Sequence, residues 1–134
     1  MVEKSIKQIL DEIFKNKRSL IVTLPSEIKW KDYERELRKA ANYKHTLKFK
    51  VHNFPKGIHE GDKCYVVYNG LIKGWMEIVG FAEETCMATN KEWDGKYIQR
   101  SGPFHYLQET IPYKGFQGFR YFDLNEYKQE KGIE

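Results

Sequence analysis

Asn69-Gly70 constrains the chain more than any other pair of residues. Both tolerate the positive φ that a two-residue type I′ turn demands, and they stand between the apolar runs Cys64-Tyr-Val-Val-Tyr68 and Leu71-Ile72. A β-hairpin therefore closes at this point. Its first strand is apolar on both faces, which suits the interior of a sheet. The returning strand, residues 71–81, places Ile72, Met76 and Ile78 on one side and Lys73, Trp75, Glu77 and Val79 on the other. Gly61-Asp62 supplies the turn ahead of the hairpin.

Around the hairpin the hydrophobic period changes along the chain. Ile6, Ile9, Leu10, Ile13 and Phe14 recur at helical spacing, with Ser5 as N-cap, and predict an amphipathic helix over residues 5–16. Leu20–Leu24 is a β-branched strand stopped by Pro25. A second helix is predicted over 29–42, with Trp30, Tyr33, Leu37 and Ala41 on one stripe. Over 46–54 the period is two: Leu47, Phe49 and Val51 alternate with Lys48, Lys50 and His52. Residues 83–95 read as a short strand and a loop, and Tyr97–Leu107 as a strand broken by Gly102-Pro103. Pro112–Gly118 is a turn-rich bend, Phe119–Phe122 a closing strand, and 126–134 a frayed helix or disordered tail. The expectation is one α+β domain over 1–134, built on a twisted, mainly antiparallel sheet.

Bulk properties exclude several classes. No apolar run approaches the roughly 20 residues needed to cross a bilayer, and the opening MVEKSIKQILDEIF carries acids among its apolar residues, unlike a signal or transit peptide. Cys64 and Cys86 form no CxxC pair, so reduced thiols and a cytoplasmic location are expected. The four histidines are too scattered for a metal site. Nucleophile elbow, HExxH, Walker loop and dinucleotide fingerprint are all missing, and no cofactor is expected.

The charge pattern points elsewhere. Net charge is +4, and the stretch from Leu37 to His59 contains no acid while holding Arg38, Lys39, Lys44, Lys48, Lys50 and Lys56. A block of one sign attracts polyanions, although a solvated face balanced by acids elsewhere accounts for it equally well. On a strand Lys48, Lys50 and His52 form a ladder with steps of about 6.5–7 Å, close to successive phosphates of a nucleic acid. Arg100-Ser-Gly-Pro-Phe104-His105 bends a cation and an imidazole around an aromatic ring, a wall for an anionic or base-like group or simply a β-bulge. Tyr113-Lys114-Gly-Phe-Gln-Gly-Phe-Arg120-Tyr-Phe invites comparison with the aromatic motif of RNA-recognition domains. Gln117 and Gly118 break that match, and a glycine-punctuated core strand remains, with Lys114 and Arg120 as candidate phosphate contacts. Glu77 beside Trp75 is a weak candidate general base.

The stretch FKVHNFPKGIHEGDKCYVVYNGLIKGWMEIVGF, Phe49 to Phe81, resembles the core of PUA-like domains, particularly the ASCH and EVE branches. There a Gly-Asp turn opens a strand with a hydrophobic run, and the next strand returns in apolar alternation. The resemblance implies a small, partly open, mixed β-barrel with the two N-terminal helices packed on it. It also implies recognition of RNA, DNA or a modified base in a cleft beside the first barrel strand. Lys48, Lys50 and His52 would then line the cleft, with Trp75, Arg100 and Phe104 as walls; His105, Tyr113, Lys114 and Arg120 are further nucleic-acid contacts expected from the residues themselves. Some ASCH proteins are amidohydrolases on acylated nucleosides that use a lysine, a threonine and a glutamate. Lys50 and Glu77 would fill two of those roles, but the GxKTxTxR-like stretch is missing, so the enzymatic reading stands second. A protein-interaction domain stands third.

Overall fold

A computed structural model describes residues 19–43, 46–84 and 95–132. Its elements in chain order are β1 (Ser19–Thr23), α1 (Trp30–Tyr43), β2 (Leu47–Val51), β3 (Lys63–Tyr68), β4 (Leu71–Glu84), β5 (Gly95–Pro112), β6 (Phe119–Phe122) and α2 (Leu124–Lys131). The Asn69-Gly70 turn forms with φ of 51° and 76°, as a type I′ geometry requires, and joins β3 to β4. The strands make one six-stranded sheet in the order β2-β5-β4-β3-β1-β6. The β1–β3 pair is parallel and every other pair is antiparallel.

Both faces of the sheet carry a core. On one, Leu20, Val22, Cys64, Val66, Met76, Ile78 and Ile98 pack beneath Tyr33 and Leu37 of α1. On the other, Ile21, Tyr65, Val67, Ile72, Ile111 and Phe122 pack with Leu124 and Tyr127 of α2. These are called the α1 face and the α2 face below. Burial on both faces is why β3 is apolar at every position from Cys64 to Tyr68. Fully enclosed side chains such as Ile72, Met76 and Ile98, at 0% exposure, contribute about 1.5–3 kcal/mol each. The stripe of α1 that is buried is Tyr33, Leu37 and Ala40, spaced by four and three. Ala41 stays exposed beside Gly102, where an added Cβ would lie 3.0 Å from the Ala41 Cβ.

Several expectations change in the structure. Among the described residues the sheet is open, with β2 and β6 at its two edges, and the closure of a barrel is not seen. Of the two N-terminal helices, α1 is present and the predicted helix over 5–16 lies outside the described residues. The strand expected to break at Gly102-Pro103 continues as β5 to Pro112, because bulges rather than a strand end absorb the bend. The Gly102-Pro103 peptide is cis. Where a frayed helix or disordered tail is expected, α2 is capped at both ends. The Asp123 carboxylate accepts from the Glu126 N–H at 3.0 Å, and Gly132 closes the helix at φ 66°. Its two apolar side chains, Leu124 and Tyr127, are too few to show as a sequence period, and its docking adds a bond from the Tyr127 hydroxyl to the Pro112 carbonyl at 2.7 Å.

The β3–β4 register also departs from simple alternation. Val67 faces Ile72 but Val66 faces Gly74, so Lys73 is an extra residue. The bulge sends Ile72 to the α2 face and Met76 and Ile78 to the α1 face, where strict alternation would put all three on one side. Gly74 follows at a close approach of β4 to β5. A Cβ there would stand 2.2 Å from the His105 carbonyl oxygen and 2.7 Å from the Phe104 ring. Gly74→Ala is accordingly expected to cost about 3 kcal/mol, seen as a lower urea midpoint at unchanged m-value. An unchanged midpoint would mean that the two strands are free to separate.

Candidate functional site

The α2 face is covered by α2 at one end of the sheet and presents an aromatic and basic strip at the other. Its centre is Trp75 on β4. The His105 ring from β5 stacks on the indole with centroids 4.0 Å apart and planes inclined by 18°, and the Lys63 ammonium from β3 stands 4.5 Å from the indole centroid. Register explains the grouping. Tyr65, Trp75 and His105 are direct cross-strand partners, and so are Lys63, Glu77 and Ser101. Lys63, Glu77 and His105 are exposed and Trp75 is half-buried against the underlying core.

The lysine ladder joins the same face further along. Lys48 and Lys50 pair in register with Gln99 and Tyr97, and the Lys48 ammonium lies 5.9 Å from the Tyr97 ring centroid. Lys48 is also tied to Glu84 in an ion pair, so much of its charge is already answered within the fold. The Lys50 stem runs over Gly95, where a Cβ would come within 2.7 Å of its Cε. His52 is exposed in the bend after β2. The structure thus assembles Trp75, His105, Glu77, Lys48 and Lys50 on one face. It adds Lys63, which strict hairpin alternation hides.

Other expected site residues lie elsewhere. Arg100 is 4% exposed on the α1 face, with its guanidinium 5.5 Å from the Phe49 ring centroid and facing Tyr33 and Cys64. Among the described residues no carboxylate pairs with it, and its Nε and the Tyr33 hydroxyl have no hydrogen-bond partner. Burial works to lower the Arg100 pKa, but Tyr33 and Cys64 carry it above its ordinary value, so the group stays charged. Burial in turn pushes the Tyr33 hydroxyl and the Cys64 thiol up. Arg100 therefore cannot share a cleft wall with Trp75, since the sheet stands between them. Tyr113 packs edge-on against Phe116 and Phe122 and, with Lys114, Gly70, Tyr127 and Lys131, lines a shallow groove beside α2. Arg120 lies over the Phe116 ring at 4.2 Å.

Phe104 belongs to a second concavity, on the α1 face. Glu34, Leu37, Arg38 and Ala41 of α1 and Pro103, Phe104 and Tyr106 of β5 enclose about 290 Å3. Phe104 and Tyr106 meet edge to face with centroids 4.8 Å apart, and the Tyr106 hydroxyl donates to Glu34 Oε2 at 2.6 Å. Partial burial first, then the hydrogen bond to Glu34 and its charge, push the Tyr106 pKa up to about 12 against an opposing pull from Arg38.

The folded state favours the neutral phenol of Tyr106. Its contribution to stability is complete below the ordinary value of 10.0 and disappears as pH rises through about 12. Phenolate absorbance is expected to include one tyrosine titrating near 12 that is lost in Tyr106→Phe and shifts down in Glu34→Gln. A titration curve unaltered by Glu34→Gln would break the assignment.

No family model matches the chain, and neither a curated protein nor a solved structure matches it.

Proposed function

We propose that the chain is a nucleic-acid-binding module that takes a single strand, RNA or DNA, across the α2 face of its sheet. The observation that carries this reading is the Lys63–Trp75–His105 group, a half-buried indole with an exposed imidazole stacked on it and a cation against it. Bases of a single strand are free to stack on an indole or imidazole, whereas those of a duplex are held inside the helix. Lys63 and Lys50 neutralise phosphate along the strip, and Lys48 contributes less because Glu84 already holds it. The PUA-like resemblance supports the same reading. Its segment from Phe49 to Phe81 supplies Lys50, Lys63 and Trp75.

Anisotropy of labelled single-stranded RNA and DNA at about 50 and 200 mM salt provides the test. Affinity is expected to fall steeply between the two conditions. Trp75→Ala should weaken binding about tenfold or more, the size of one lost base stack. Lys63→Ala should weaken all sequences alike and reduce the salt slope by about 0.7–0.9, the share of one phosphate contact. No binding at the lower salt, or full binding by Trp75→Ala, would sink the proposal.

A further inference from the structure

From the cleft between α1 and the β5 bend we infer that the chain holds a second site, one that takes a single nucleotide whose base carries an amino group. This inference stands apart from the α2-face reading, because the cleft lies on the opposite side of the sheet. Its size suits a small group: about 290 Å3 is at the lower edge of the roughly 300–1,000 Å3 typical of ligand pockets, room for one base and its sugar.

The lining describes the occupant. Leu37, Ala41 and Pro103 give apolar walls, and the Phe104 and Tyr106 rings give aromatic ones, which together favour a flat, polarisable group. Polar groups sit at the helix side of the mouth, one turn apart. Glu34 uses Oε2 to hold the Tyr106 hydroxyl, which fixes the carboxylate and leaves Oε1 as an acceptor for an amine edge. Among the described residues Arg38 has no ion pair; the pairs found on α1 are Arg35 with Asp32 and Lys39 with Glu36. Its guanidinium has the planar fork of donors that suits a phosphate.

Charge complementarity narrows the choice. A plain anion meets Glu34, a plain cation meets Arg38, and an alkyl chain uses neither. An amino acid carries both charges on one carbon, and only an aromatic one also fills the ring walls, so free tryptophan is the competing ligand. A nucleotide separates an N–H-bearing ring from its phosphate. Uracil is disfavoured because its only ring N–H lies between two carbonyls that face the carboxylate. The nucleotide can be free or can be one unit of a bound strand.

The test is titration of the full chain with AMP, GMP, CMP and UMP, followed by amide 1H–15N shifts. Saturable shifts are expected at residues 34–41 and 103–106, with UMP weakest. Arg38→Ala, on the exposed side of α1, should weaken binding about tenfold, the size of one charge-assisted contact. Ala41→Phe should fill the cleft and abolish binding. Trp75→Ala should leave it unchanged, which separates this site from the α2 face. Displacement of AMP by a short oligonucleotide identifies the source as a base of a strand, and its retention identifies a free nucleotide; both uphold the site. Absence of saturable shifts at about millimolar nucleotide, undiminished binding by Arg38→Ala, or equal shifts with free tryptophan would overturn it.

Discussion

The antiparallel pairing of β4 with β5 is the constraint on which everything else in the fold depends. These two strands form the longest ladder of the sheet, and their register shifts at three places, between Ile72 and Gly74, Trp75 and Glu77, and Ile78 and Gly80. Each shift adds twist and re-aims the side chains beyond it. The close approach at Gly74 pins the pairing in the middle, where backbone of one strand meets backbone of the other. From that point His105 is directed onto Trp75 on one face, while Phe104 and Tyr106 are directed toward α1 on the other. Neither the aromatic stack nor the α1 cleft would exist on a regular ladder.

This is also why the fold was readable from sequence further than the site was. The Asn69-Gly70 turn, the doubly apolar β3 and the alternation of β2 follow from local chemistry, and each appears where that chemistry puts it. Lys63 does not, because the residue opposite it depends on a bulge. With the two-residue turn and no extra residue, Lys63 would face Met76, and Trp75 would pair with Cys64 and turn to the α1 side. With Lys73 inserted it faces Glu77, two residues along the face from Trp75. A single inserted residue thus decides whether this lysine meets the indole, and no local propensity of Lys73 announces it. Arg100 illustrates the same limit across strands. Its position in a bend beside Phe104 suggested a surface wall, but the face it takes is set by pairing with Leu47 and Ile78, which are distant in sequence.

Charge in the linear sequence proved a poor guide to charge on the surface. The acid-free stretch from Leu37 to His59 spans the second half of α1, β2 and the loop after it, and these do not share a face. Lys39 is paired with Glu36 at 3.5 Å, and Lys48 is paired with Glu84 from β4. Exposed pairs of this kind add little to stability, typically under about 1 kcal/mol, but they reduce the field that a polyanion would feel. The positive character of the α2 face therefore owes more to the placing of single residues such as Lys63 than to the density of lysines along the chain.

The burial of Arg100 shows how the two faces are kept distinct. A guanidinium enclosed on the α1 side, against Phe49, Tyr33 and Cys64, is costly unless its surroundings answer the charge. Here the ring face of Phe49 and the polar atoms of Tyr33 and Cys64 answer it in part, and Tyr33 belongs to α1. The same helix that supplies Tyr33 supplies Glu34 one residue later, and Glu34 holds Tyr106. Adjacent residues of α1 thus contact β5 at two points, one inside the core and one at the cleft mouth. Displacing α1 from β5 would separate Arg100 from Tyr33 and Tyr106 from Glu34 together. The cleft is consequently as rigid as the seat of α1 on the sheet, while the Lys63–Trp75–His105 strip, built on strands alone, is independent of that helix.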